Sequence, residues 1–171
     1  MKCPSPKQKA VNADEFRRVM TSWPTGVAVI TGRLAQGEAI GVAVGTFCSL
    51  SLSPPLVMFA LAKNSTTLDT FRQTRRFCVN VLSGHQAGLA QQFSQGDPVS
   101  RFADLTFEET PLGLPKLLEA AAWIEATMTQ EHPGGDHTIV VGQVESLGSR
   151  SNHSPLVFAH RKFGAFTSNA H

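Results

Sequence analysis

Apolar positions recur first at helical spacing and then at strand spacing. Phe16, Val19, Met20 and Trp23 stand at i, i+3, i+4 and i+7, one stripe of a helix over residues 12–23. Asn12 and Glu15 have capping-box spacing, and Pro24 ends the helix, because a proline disfavours helical backbone at the residue before it. This stripe, Phe16 and Trp23 included, is expected to pack into the core. Strand patterning begins at residues 26–31, rich in Val and Ile, and a turn follows at 35–38. Residues 39–52 form a long run of small, β-branched and hydroxyl side chains broken by Gly41 and Gly45, and Pro54-Pro55 closes it. A wholly apolar strand is predicted over 56–62, then a short helix over 65–73 with Leu68 and Phe71 facing inward. Another strand covers 77–82. Ser83 and Gln86 repeat the capping-box spacing before a helix whose face is Leu89, Ala90 and Phe93. Residues 94–115 carry three prolines and several charges and read as loop. Residues 123–130 and 138–147 read as a hairpin across the turn 132–136. A last strand at 156–160 precedes an aromatic tail with Phe163 and Phe166.

Many short strands with few helices between them disfavour a parallel doubly wound sheet, and no G-x-G-x-x-G is present. A mainly β antiparallel barrel with short peripheral helices fits the pattern best. At 171 residues the chain is one domain. The domain is expected over 12–166, between tails at 1–11 and 167–171. Apolar residues make up 42% and charged residues 16%, which excludes a disordered chain. The net charge of +2 gives no electrostatic footprint for nucleic acid. Lys2, Lys7 and Lys9 read as a solvated tail. Three cysteines (Cys3, Cys48, Cys78) without C-x-x-C spacing argue against a disulfide framework and against zinc. The N-terminus lacks an apolar signal region, and no stretch is long enough for a membrane span, so a cytoplasmic protein is expected. Tyrosine is absent, so aromatic stacking falls to Phe or Trp.

The candidate chemistry sits at several places. Thr25-Gly26, between Pro24 and Val27-Ala28, puts a hydroxyl and a bare backbone at a strand start, where a planar ligand could lie; a plain turn into a strand looks the same. Ala43-Val44-Gly45-Thr46-Phe47-Cys48-Ser49 combines small side chains with hydroxyl donors, as a flat ring or a phosphate would need; an edge strand with ordinary Ser and Thr content looks the same. Cys48 has no neighbouring base to activate it and reads as packing. Lys63-Asn64-Ser65-Thr66-Thr67 opens a helix, a place for a phosphate or for simple capping. His137, after Gly134-Gly135-Asp136, could present its ring to a substrate, although a turn histidine is usually idle. Arg161 with Phe163 and Phe166 is either a cation-and-aromatic lid or a packed C-terminus. No hydrolase elbow, Walker loop or metalloprotease motif is present. A protein that holds a reactive cofactor and leaves the chemistry to it suits this profile.

In this order and spacing, the chain resembles the short-chain flavin reductases, the reductase components of two-component flavin monooxygenases. The matching stretches are Phe16-Arg17, Pro24 to Val29, Phe47 to Val57, Ser65, Phe77 to Leu82, Gln86 to Phe93, Arg101-Phe102, Gly135 to Val144 and Pro155 to Phe158. The resemblance implies a six-stranded antiparallel Greek-key split barrel, a homodimer with the flavin in a groove beside the barrel, and hydride transfer from NADH or NADPH to N5 of FMN or FAD. It implies that 25–28 and 43–49 contact the ring and ribityl chain and that 63–67 lie near the phosphate. Phe93 and Ser94 would help close the pocket, and His137, Arg161, Phe163 and Phe166 would face the nicotinamide nucleotide. His137 is the one residue assigned to catalysis, as an orienting group. Reduced flavin would leave for a separate oxygenase.

Two departures stand out against the family pattern. Ala43 and Gly45 replace a Thr and a Ser or Asn, which removes two side-chain donors, each worth about 1 kcal/mol. Weaker or altered flavin binding is expected. The competing readings are a pyridoxamine-phosphate-type oxidase, which would want a denser basic site than Lys63, and a non-catalytic flavin or haem carrier.

Overall fold

Asn12 caps the first helix as its spacing predicts, its side chain accepting from the Glu15 N–H at 2.7 Å. The computed structural model describes residues 11–167; the Lys2, Lys7 and Lys9 cluster and Cys3 lie outside them. In chain order the elements are α1 (Ala13–Met20), β1 (Thr25–Gly26), β2 (Ala28–Arg33), β3 (Ala39–Val44), β4 (Cys48–Leu52), β5 (Pro55–Ala62), α2 (Thr66–Thr74) and β6 (Arg76–Val81). Then come α3 (Ala87–Gln92), β7 (Phe107–Glu109), β8 (Pro115–Leu117), β9 (Ala122–Gly134), β10 (His137–Ser149), β11 (Leu156–Ala159) and β12 (Lys162–Ala165).

The main sheet has the order β3-β2-β6-β9-β10-β5-β4, antiparallel at every step. It has seven strands where six were expected, because the run 39–52 divides at Gly45–Phe47 into β3 and β4. The division closes the barrel. β4 pairs with the first part of β5, and Thr46 carries the contact on with its hydroxyl, accepting from Ala60 N–H at 3.0 Å and donating to Ala60 C=O at 3.1 Å. The interior is filled by Ile30, Phe59, Phe77 and Met128 from the sheet together with Leu68 and Phe71 from α2. Leu68 and Phe71 face inward as the pattern predicts.

Three expectations are corrected. The stripe of α1 does not enter the core: Phe16 and Val19 are each 59% exposed, Trp23 is 66% exposed, and no residue of the helix is buried. The barrel core is already filled from its strands and from α2, which leaves no apolar face for this helix. The hairpin 123–147 is longer than expected. Pro133 stands inside β9, past Thr127, where pairing with β6 has ended and a missing N–H costs no ladder bond, and the turn shrinks to Gly135-Asp136. Residues 94–115 are not all loop, since β7 and β8 form a small hairpin. Buried polar groups fix that hairpin. Asn80 accepts from Leu117 N–H at 2.8 Å and donates to Thr31, and Thr31 donates to Pro115 C=O. The Glu125 carboxylate accepts from the Thr110 hydroxyl and from Leu112 N–H. These polar side chains carry no periodicity that a sequence pattern could register.

A second sheet, β1-β11-β12, stands beside the barrel. The aromatic tail forms its last strand.

Candidate functional site

Val27 joins the two sheets. Its N–H donates to Leu156 C=O at 3.2 Å, and its C=O accepts from Leu82 N–H at 3.0 Å. On one side β1 pairs with β11, Thr25 opposite Phe158; on the other, β2 enters the barrel. Between them opens a cleft of about 350 Å³. Its walls are Thr25 and Val27, the end of β3 (Ala43, Val44) with Gly45 after it, α3 with Ser94 beyond it, and Phe158 with Phe163 on the β11–β12 hairpin. The floor is a second core of Val27, Val29, Leu82, Ala90, Phe93 and Leu156.

The edge of β3 owes its place to what covers it. Ala43 N–H donates to Phe93 C=O at 3.0 Å, and Arg101 donates to Gly41 C=O at 2.6 Å. Gly41 is required there, since a Cβ on it would come within 2.6 Å of the Phe93 ring. Gly45 has a different reason to be small. A Cβ on it would lie 3.2 Å from Thr25 Oγ1, so a side chain at 45 narrows the cleft.

The structure therefore brings Thr25, Val27, Ala43, Val44, Gly45, Ser94 and Phe163 into one cleft. Pro24 and Gly26 are exposed beside it. Ala28 and Phe93 are buried in the core, Phe93 at 0% exposure beneath the cleft. Thr46 is engaged at the barrel seam, Phe47 packs against the barrel core, and Cys48 and Ser49 are exposed on β4. Sequence reasoning missed Ala90, Gln91 and Phe158 as lining residues. Phe158 was legible as a strand residue with an aromatic neighbour at 163; nothing set Gln91 apart.

Lys63 and His137 form a separate corner. Lys63 N–H donates to Asp136 C=O at 3.1 Å, and His137 Nδ1 lies 2.7 Å from the Asp136 carboxylate. That hydrogen bond, with the charge of the ring, holds the Asp136 carboxyl below its usual range. Asn64 and Thr66 are exposed beside this corner, Ser65 caps α2 without a side-chain bond, and Thr67 is buried. The corner stands two residues along β5 from the Thr46–Ala60 seam, because His137 pairs with Ala62. Arg161 is at the tip of the β11–β12 turn, where it and His160 have left-handed backbone with φ of 61° and 49°. Phe166 lines an adjoining groove of about 410 Å³ that shares Phe163 with the cleft. Among the described residues, no helix is long and apolar enough to cross a membrane.

Comparison with known proteins places this geometry. The flavin reductase like domain family matches residues 20–167. The chain is 36% identical over 159 residues to a flavin reductase of Pseudomonas putida, covering 93% of each chain. It is 37% identical to the reductase subunit HsaB of a flavin-dependent monooxygenase of Rhodococcus jostii, over 88% of this chain and 76% of that one. Among solved structures, the NADH:FAD oxidoreductase SgcE6 of Streptomyces globisporus, in complex with NAD and FAD fragments, superposes with a TM-score of 0.87 at 28% identity over the whole of both chains. A mainly β split barrel, a cleft between its end and a small aromatic sheet, and these relatives together make the chain a member of the flavin reductase-like family.

Proposed function

We propose that this chain is an NAD(P)H-dependent flavin reductase that supplies reduced flavin to a separate monooxygenase component. The cleft of Thr25, Ala43, Gly45, Ser94 and Phe163 is its flavin site. The observation that carries the reading is the convergence of these distant segments on one concave, largely apolar cleft, in a chain of this family. Its size falls in the range of small-molecule sites, and its makeup fits a flat ring: apolar walls with a few polar groups, from Thr25, Gln91 and Ser94.

A bound flavin, FMN or FAD, supplies the acceptor for a hydride from NADH or NADPH. The protein's own work is positioning. The β3 end presents small side chains so that a ring can approach the backbone, and Phe158 with Phe163 offers an apolar cover that excludes water. Ala43 and Gly45 bring no side-chain donor, which favours a flavin that binds, is reduced and leaves. His137 orients the dinucleotide, with Asp136 fixing its ring, and Lys63 adds a cation beside it. Arg161 stands ready for a second phosphate contact.

The working unit is a homodimer in the cytoplasm. The exposed apolar stripe of α1, together with exposed Leu50 and Leu52 on β4, supports a second copy as the cover of those surfaces. The unpaired Cys48 and Cys78 agree with a reducing compartment. The test is oxidation of NADH and of NADPH with FMN, with FAD and with no flavin added. Turnover that requires free flavin is expected. Flavin binding without turnover in any combination would overturn the reductase reading in favour of a carrier.

A further inference from the structure

At the opposite end of β2 from the cleft lies a groove of about 500 Å³ onto which Arg33, Arg75 and Arg76 converge. β2 runs from Ala28 beside the cleft to Arg33 beside the groove, about 16 Å at ~3.3 Å per residue. The groove is thus a separate place on the molecule.

Arg17 and Arg72 pair with carboxylates on the surface. Arg33 is clamped as part of the groove wall, donating to Gly113 C=O at 2.7 Å, to Gly37 C=O at 2.6 Å and to the Glu109 carboxylate at 2.5 Å. Arg75 reaches only the Thr129 carbonyl, at 3.4 Å, and Arg76 has no ion pair among the described residues. Two arginines therefore line the groove with no carboxylate partner among the described residues. Arg18, Arg101, Arg150 and Arg161 also lack an ion pair among the described residues, so it is convergence on one groove that sets Arg33, Arg75 and Arg76 apart.

The backbone explains how both can do so. Consecutive residues of a strand point to opposite faces. Arg75, at the C-terminal cap of α2, has a φ of 58°, the left-handed conformation for which glycine is the usual choice. That turn brings Arg75 and Arg76, adjacent in the chain, onto one groove.

We propose that this groove is a second ligand site, which takes the phosphate group of a small phosphorylated molecule such as a nucleotide. Paired guanidiniums bind phosphate oxygens through charge-assisted, bidentate hydrogen bonds. The groove is larger than a bare phosphate needs and within the range that holds a nucleotide. Glu109 is already committed to Arg33, so it does not cancel the charge of the other two.

The test is calorimetric titration of the full chain with ADP and, separately, with inorganic phosphate. It compares the wild type with Arg75→Gly and Arg76→Gln. Arg75→Gly is well suited, because glycine accepts the left-handed backbone and the fold should melt at the same temperature or higher. Saturable ADP binding that weakens roughly tenfold or more in each variant is expected, with flavin binding and turnover unchanged. Phosphate binding without ADP binding, lost in the same variants, supports the site with phosphate itself as the occupant. No saturable binding of either, or ADP binding equal in wild type and variants, overturns the inference.

Discussion

The barrel interior and the small sheet beside it hold their aromatic residues in different ways. Phe59, Phe71 and Phe77 are fully buried and meet at ring-centroid distances of 5.0, 6.0 and 6.1 Å, a closed aromatic cluster inside the barrel. Phe158 and Phe163 also meet, at 5.1 Å, but across a hairpin of two four-residue strands, with Phe158 37% exposed. The first cluster is stabilised by what the protein buries there. The second leaves apolar surface that only a ligand or another chain can cover. A firmly packed barrel beside a thin wall suits a site that admits and releases a flat molecule.

That contrast can be broken first from the barrel side. Phe77→Ala should cost about 3–5 kcal/mol in chemical denaturation, because it opens a cavity where the Phe77 ring packs against Gly142 and Phe59. A change of less than about 1 kcal/mol would mean that the interior is not the rigid half.

Next is the alkaline limit of the same barrel wall. Burial, with the Glu125 charge behind it, pushes the Cys78 thiol up to about 12. The unfolded chain ionises this thiol near 9. The contribution is therefore complete below about pH 9 and is lost as pH rises towards about 12, on the order of a few kcal/mol in all. Urea denaturation of wild type and Cys78→Ala across the alkaline range should show this slope in the wild type alone.

Phe163→Ala sharpens the contrast from the other side. It should weaken flavin binding roughly tenfold while costing about 1 kcal/mol or less of stability. A flavin titration beside a melting curve gives both numbers, and a large stability loss with unchanged binding would reverse the roles of barrel and wall. The smallest effect is expected at the separate corner. His137→Ala should raise KM for the nicotinamide nucleotide more than it lowers kcat. A collapse of kcat alone would give the ring a part in the chemical step.

Periodicity located most elements, since strands that half-bury one face and helices with an inward stripe write themselves into the order of residues. It misled at α1, where a helical stripe reports only that something apolar must cover it, not whether that is this chain's core. It was silent on β7 and β8, which are held by Asn80, Thr31 and Glu125 from distant strands. The small residues at 43 and 45 and the hydroxyl of Thr25 were legible as a candidate edge, and the structure gathers them at one cleft. Gln91 and Phe158 were not, because they become neighbours only when α3 and β11 are brought to the same cleft. Thr46 shows the same limit: its hydroxyl suggested a ligand donor, and the fold spends it on Ala60.

The central claim is that the cleft between β3 and the β11–β12 hairpin receives the flavin. Gly45→Leu tests it most directly, since it places a side chain into the cleft from an exposed backbone position while leaving both cores untouched. Titration with FMN and with FAD should show binding weakened roughly tenfold or more, at an unchanged melting temperature. Flavin affinity equal to that of the wild type would contradict the account.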